Sequence, residues 1–170
     1  MFKQEKGITL VSLVITIIVM LILAGVSLSM VMGDSSVLDQ ATQAVDETER
    51  STVKDEIALA VGAVQTAYYG QYSNTTGRLT MSQCLETKLN KNDFTSAKKV
   101  ELVKVSGTEY YLVYTHNNDN VYQTKLEVST TSIKIVANGA VGGVVCVTRN
   151  GEPTNETKLT TSTGTEVPAF

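Results

Sequence analysis

An uncharged run of 25 residues, from Ile8 to Met32, is the feature that most constrains how this chain folds. About 20 consecutive apolar residues span the hydrocarbon core of a bilayer, so this run is long enough to cross a membrane as one helix. Lys3 and Lys6 precede the run, whereas five acidic residues follow it before the first cation, Arg50. Because the Lys and Arg bias sets orientation, we expect a single-pass protein with a cytoplasmic N-terminus and an exported C-terminal part.

The junction before the run reads Lys6-Gly7-Ile8-Thr9-Leu10-Val11. This segment resembles the cleavage and methylation segment of the type IV pilin and pseudopilin family, with Ser12 where the family usually has glutamate. The resemblance implies that a prepilin peptidase removes a leader peptide, residues 1–7, by cutting between Gly7 and Ile8. It also implies N-methylation of Ile8 and polymerisation of the mature chain by a pilus assembly machinery. About 30 of the 170 residues carry the resemblance.

In the family, the glutamate is thought to pair with the N-terminal amine of a neighbouring subunit. A carboxylate at membrane depth costs about 3 kcal/mol, so a family that carries one gains something from it. In this chain we expect Ser12, Thr9, backbone carbonyl groups of a neighbour, or the glutamate of a different pilin to satisfy the amine of Ile8.

Small and hydroxylated residues form two stripes along the hydrophobic run. The stripes are Thr9, Ser12 and Thr16 on one face and Gly25, Ser29 and Gly33 on the roughly opposite face. Small residues let helices approach closely in a membrane, so we predict helix packing in a filament, with other copies or related pilins as partners. The alternative is that the hydroxyl groups bond to their own helix and that the glycines are incidental.

Hydrophobic spacing predicts the order of the remaining elements. After the transmembrane and polymerisation helix (8–33), apolar spacings of three, four and seven predict an amphipathic continuation over 34–70, nearly continuous with it. Residues 71–170 are predicted to form a loop, a short helix with a capping box at Thr80–Gln83, and an antiparallel sheet of four or five strands. The fold class is therefore α+β, a long N-terminal helix packed on the sheet, which is also what the pilin resemblance implies.

Three turns are predicted between strands, at 117–120, at Asn138-Gly139 and at Asn150-Gly151. The Thr- and Ser-rich tail from Glu152 is interpreted as an edge strand, a surface loop or a disordered segment.

The two cysteines, Cys84 and Cys146, fit no metal-binding spacing. Export and an even number favour a disulfide, and closing a loop of this size would contribute about 4 kcal/mol. The alternative is two separate buried thiols.

No residue pattern points to catalysis, a cofactor or a metal. His116 is interpreted as a surface residue, and the Asn-rich turn beside it lacks the carboxylate spacing of a calcium loop. The formal net charge of −3 comes without a basic stripe, which argues against nucleic-acid binding by the globular part. We therefore expect a protein that is not an enzyme.

Tyrosines are the remaining candidates for recognition. Tyr110, Tyr114 and Tyr122 are expected to share a sheet face as half-buried packing residues with solvated hydroxyl groups, or to form an adhesive patch if exposed. Two triplets, starting at Asn74 and Asn155, match the glycosylation pattern.

The leading hypothesis is a pilin-like structural subunit that resides in the membrane before assembly and in an extracellular filament afterwards. Such a filament could serve adhesion, motility, DNA uptake or secretion, and the surface ligand is unidentified. The alternatives are a minor, tip-located pilin or pseudopilin and a single-span anchored binding protein that does not polymerise and keeps residues 1–7.

Overall fold

The structure is a computed structural model that describes residues 5–32, 37–71, 77–136 and 143–168. Its contacts divide the chain into two compact units, Met1–Glu47 and Thr48–Phe170. The architecture is α+β, with a long apolar N-terminal helix, a second long helix and an antiparallel sheet, as the hydrophobic spacing predicted. Residues 33–36, where the two predicted helical segments meet, and the predicted turn at Asn138-Gly139 lie outside the described residues.

Helix α1 spans Glu5–Met32 and contains the hydrophobic run. Its segment Leu10–Ser29 is long and apolar enough to cross a membrane, by length and composition. A helix suits this sequence because it satisfies every backbone hydrogen bond within one segment, which a lipid environment demands.

Helix α2 spans Val37–Gly70 and buries one face only in its second half. The buried residues follow spacings of four, three and one, so they form a single stripe: Val53, Ile57, Ala60, Val61 and Val64. In the first half, Val37, Leu38 and Val45 remain exposed. The amphipathic pattern therefore becomes a packed interface only where the sheet lies against it.

A short helix, α3 (Met81–Lys88), begins at the predicted capping box. The Thr80 side chain accepts a hydrogen bond from the Gln83 backbone, and the Gln83 side chain accepts one from the Thr80 backbone. Met81, Cys84 and Leu85 of α3 are buried against the same side of the sheet as α2.

Among the described residues, six antiparallel strands form the sheet. This is one more than the upper predicted number, because the sixth strand is only two residues long and too short to show an alternating pattern. They are β1 (Ala97–Lys104), β2 (Glu109–His116), β3 (Val121–Val128), β4 (Ile133–Val136), β5 (Val144–Arg149) and β6 (Glu152–Pro153). The order across the sheet is β1-β2-β3-β5-β6. Strand β4 pairs with residues 125–128 of β3 and β5 with residues 121–124, so both strands share one edge of β3.

Two of the predicted turns have backbone geometry that explains their residues. Asn150 (φ 51°) and Gly151 (φ 83°) connect β5 to β6 in the left-handed region, which Asn and Gly tolerate best. Asp119 (φ 67°) takes the same conformation in the turn between β2 and β3.

The sheet has a separate apolar core on each face. The front face packs against α2 and α3, and the back face packs against Leu159 and Val167 of the C-terminal segment. This segment, residues 157–168, is called the strap below. The tail was predicted to be an edge strand, a surface loop or a disordered segment. Glu152–Pro153 forms an edge strand, as the first of these interpretations has it, whereas the strap covers one face of the sheet. The polar composition of the tail did not predict this covering role.

Candidate functional site

The surface of α1 is the first candidate site. Over Leu10–Ser29 none of the span is buried, and the large side chains of Met20 and Leu21 are each 67% exposed. Exposed apolar patches larger than a few hundred Å² mark membrane or protein contacts on soluble proteins. This helix therefore has a surface suited to lipid or to other apolar helices.

The predicted stripes on α1 are placed differently by the structure. Thr16 Oγ1 donates a hydrogen bond to the Ser12 carbonyl oxygen at 2.8 Å, so its hydroxyl is satisfied within its own helix. On the other face, a Cβ added at Gly25 would meet nothing within 4 Å, and Ser29 is exposed. Gly25 thus leaves room for close approach by a neighbouring helix, whereas Thr16 follows the alternative interpretation.

The predicted cleavage and methylation positions, Gly7 and Ile8, lie within the first turns of α1, as does Thr9. Their side chains, and Gly33 as a whole, lie outside the described residues. The role of all four in processing or packing stays a prediction.

The sheet tyrosines form a second group, and they are not half-buried with solvated hydroxyls. Tyr110, Tyr114 and Tyr122 are at most 1% exposed, and none belongs to an exposed patch. Each hydroxyl donates to a helix carboxylate at 2.6 to 2.7 Å; the pairs are Tyr110–Glu86, Tyr114–Glu56 and Tyr122–Glu49. Burial requires a partner for each hydroxyl, and glutamates on α2 and α3 supply it.

Glu49 is the most extensively bonded of these carboxylates. It accepts hydrogen bonds from Tyr122 at 2.7 Å and from the side-chain amides of Asn118 and Asn120, each at 2.8 Å. Burial raises the pKa of Glu49, but the hydrogen bonds from Tyr122, Asn120 and Asn118 outweigh it, so the net pKa is lowered. The Asn-rich turn therefore anchors α2 to the sheet.

His116 belongs to this anchor. Its Nδ1 atom lies 2.9 Å from Asn118 Oδ1 and 3.6 Å from Glu49 Oε1, and its ring stacks against Tyr114. The side chain is 19% exposed, so the expectation of an ordinary surface residue is wrong. Among the residues that the structure describes, no group of three His, Cys, Asp or Glu side chains could hold a metal ion.

Cys84 and Cys146 are free, buried thiols in the structure, so the predicted disulfide is not formed there. The Cys84 sulfur contacts Gln71 Nε2 at 2.9 Å, and the Cys146 thiol points to the Thr148 carbonyl oxygen at 3.5 Å. Burial raises the pKa of Cys146, which keeps its thiol protonated. The alternative of two buried thiols is the arrangement present.

Two buried polar residues on the back face of the sheet were not predicted from the sequence. Gln123 is fully buried in β3, and Glu109 at the start of β2 is 9% exposed; both contact the strap. The only sequence signal is a polar residue inside an alternating strand, which is also compatible with a solvated face. The glycosylation triplet at Asn74 lies outside the described residues, whereas Asn155 is exposed beside β6.

Comparisons with protein-family models, with curated proteins and with solved structures find no match to this chain.

Proposed function

We propose that this chain is a type IV pilin-like structural subunit. In this proposal a prepilin peptidase cuts between Gly7 and Ile8, the amine of Ile8 is methylated, and α1 leaves the membrane to pack against α1 helices of other copies or related pilins in an extracellular filament. The globular domain is then displayed on the filament surface.

One observation carries the proposal: an apolar helix of membrane-spanning length with every side chain of its span available for contact. The same helix surface can face lipid before assembly and apolar helices afterwards, because both surroundings exclude water. The Lys6-Gly7-Ile8 junction at its start supplies a processing site that a simple anchor does not need.

The second half of α2 supports the proposal through what it leaves uncovered. Ile57 is buried against the sheet, whereas Leu59, two residues later, is 73% exposed on the other side of the helix. An exposed leucine by itself is ordinary, but Leu59 gives the side of this half of α2 that faces away from the sheet an apolar surface. Such a surface suits packing against neighbouring subunits.

The first test is mass spectrometry of filaments sheared from the native cell surface, including the N-terminal peptide of this chain. Abundant chain that begins at N-methylated Ile8 identifies a major subunit, whereas trace amounts with the same end identify a minor or tip component. A chain confined to the membrane fraction with residues 1–7 attached refutes the proposal in favour of an anchored binding protein.

Gly7→Val tests the processing step directly. A branched side chain before the cut should obstruct the peptidase, so we expect an uncleaved chain and no incorporation into filaments. The matched control is Gly62→Ala on α2, a glycine far from the cut and outside the predicted packing stripes, where an added Cβ meets nothing within 4 Å. A cleaved Gly7→Val product refutes the assignment of the cleavage site.

A minor or tip role is favoured by one observation, the hydroxyl at Ser12 in place of a carboxylate. In the family, a glutamate at this position is thought to pair with the N-terminal amine of a neighbouring subunit, and an uncharged serine cannot form that ion pair with the amine of Ile8. Introducing Ser12→Glu should change assembly yield, measured as the amount of this chain in sheared filaments. Unchanged yield indicates that position 12 does not govern assembly.

A further inference from the structure

We propose that the strap, residues 157–168, exchanges between copies of this chain, so that the back face of one sheet holds the strap of a second copy. This interaction surface belongs to the globular domain and is independent of helix packing through α1. Two groups of polar side chains on the back face, called sockets below, bind the strap within one chain. We infer that the same sockets accept the strap of a second copy, because its main-chain groups are identical.

The first socket is the side-chain amide of Gln123, which forms hydrogen bonds with the main chain of the strap. Its Nε2 donates to the carbonyl oxygens of Val167 at 2.9 Å and Pro168 at 3.0 Å, and its Oε1 accepts from the Leu159 amide at 3.1 Å. All three bonds end on main-chain atoms. A single buried glutamine thus holds both ends of the strap.

The second socket is formed by Glu109 and Tyr111 on β2. The Tyr111 hydroxyl lies 2.7 Å from Glu109 Oε1 and 2.8 Å from the Thr160 carbonyl oxygen, so its single proton is shared between these two acceptors. Glu109 Oε1 also accepts from the Ser162 amide at 3.1 Å. These contacts again use the main chain of the strap, so they are equally available to a strap from another molecule.

Two side chains fill the apolar part of the back face. Leu159 and Val167 are 5% and 1% exposed and pack on a cluster that includes Tyr111, Val113 and Val145. Between them the strap residues are largely exposed. Few apolar groups therefore tie the strap down, which places its detachment among local openings rather than global unfolding.

The strap also carries hydrogen bonds of its own. The Val167 amide donates to the Leu159 carbonyl oxygen at 2.8 Å, and the Thr161 amide donates to the Thr165 carbonyl oxygen at 2.8 Å. Gly164 (φ 82°) closes this small hairpin in a conformation that favours glycine. The segment can therefore move as a unit without losing these bonds.

A hinge precedes the strap. Glu156 is fixed by an ion pair with Arg50 and by the Cys146 amide, which donates to it at 3.1 Å. Thr157 and Lys158 follow and are exposed. Because Glu156 stays fixed and the hairpin keeps its own bonds, the three residue steps from Glu156 to Leu159 set the reach at roughly 10 Å, so the strap can enter the back face of a copy that lies directly beside this hinge. Exchanging an identical element between copies makes the same contacts in both states, which is why it needs little energy when copies are close together.

The test is paramagnetic broadening between full-length chains in detergent micelles. One chain carries a nitroxide at Thr163→Cys, an exposed strap position, and is mixed equally with isotope-labelled wild-type chain. If straps exchange fully, half of the labelled chains hold a nitroxide-bearing strap, so the Gln123 side-chain amide signal should fall to about half. The matched control carries the nitroxide at Leu59→Cys on α2, which reports association through the helices.

Loss confined to back-face signals such as those of Gln123, Val113 and Val145, and present only with the strap label, supports exchange. Unchanged signals, or equal loss with the Leu59 label, overturn it.

Hydrogen exchange on the unmodified chain provides a second measurement. The Leu159 and Ser162 amides, which bond to the sockets, should exchange at least about tenfold faster than the Leu126 amide in β3, because the strap opens while the sheet stays intact. Equal protection overturns the proposal.

Discussion

Removing one hydroxyl, in Tyr122→Phe, should measure how strongly the tyrosine–carboxylate pairs hold α2 to the sheet. Tyr122 is 1% exposed and donates to Glu49 Oε1 at 2.7 Å. The phenylalanine ring keeps the packing, so the change deletes the hydrogen bond and little else. A hydrogen bond to a charged group contributes about 1.5–3 kcal/mol, and Glu49 retains two amide donors. We therefore expect the free energy of unfolding to fall by about 2 kcal/mol.

Near-ultraviolet circular dichroism of the full chain in detergent follows this unfolding selectively. All seven tyrosines lie between residues 68 and 122 and the chain has no tryptophan, so α1 contributes no tyrosine signal. For a domain of this size, a loss of 2 kcal/mol lowers Tm by about 8 °C. Tyr69→Phe is the matched control, because Tyr69 is 47% exposed and should change stability by less than about 0.5 kcal/mol.

A double-mutant cycle with Glu49→Gln identifies the partner. In the E49Q background the bond is between neutral groups, so Tyr122→Phe should cost only about 1 kcal/mol. An equal cost in both backgrounds, or a Tm shift no larger than that of the control, refutes the claim that Glu49 is the group the hydroxyl stabilises.

Three further predictions concern the core, the acid stability and the thiols. Ile57→Ala should lower the free energy of unfolding, measured by chemical denaturation, by about 3 kcal/mol because the Ile57 side chain is buried. Leu59→Ala, at an exposed position two residues later, should change it by no more than about 0.5 kcal/mol, and similar losses in the two variants would contradict the assignment of the buried face. Hydrogen bonds from Ser162 and Tyr111 lower the pKa of Glu109 from 4.5 to about 2, so the stabilisation by its carboxylate is present above pH 4.5 and is lost as the pH falls toward 2. The free energy of unfolding should therefore depend less steeply on pH over this range in Glu109→Gln than in the wild-type chain. An unchanged slope would show that Glu109 does not contribute to the acid dependence of stability. The thiols of Cys84 and Cys146 are buried, so both should react with an aromatic disulfide reagent only when the domain unfolds, and a chain without titratable thiols after unfolding would indicate that they had paired.

Local patterns in the sequence predicted the elements because their causes are local. The buried stripe of α2, with Val53 and Ile57 at its start, follows from helical spacing. The capping box at Thr80 depends on residues three apart, and the turn at Asn150-Gly151 depends on two adjacent backbone conformations. Each of these signals lies within a window that a single segment of sequence contains.

The candidate site was predictable only in part. The uncharged run identified α1 and its exposed apolar surface, whereas the packing role of the glycine spacing, with Gly25 in open space, stays a prediction. Under the proposed function, the packing partners of that face are helices of other molecules, so its contacts depend on residues outside this chain. The pairing of Cys84 with Cys146 was inferred from number and compartment, which carry no information on sulfur geometry.

The amino-acid sequence by itself determined that this chain has an apolar helix of membrane-spanning length, an amphipathic helix and an alternating antiparallel sheet, because hydrophobic period and turn chemistry act between near neighbours. Tertiary structure alone decided which carboxylate meets which hydroxyl. Glu49 and Tyr122 are 73 positions apart, and Gln123 meets Leu159 across 36. A buried polar group must find a partner wherever the fold brings one, and that partner is specified by the packing of whole elements.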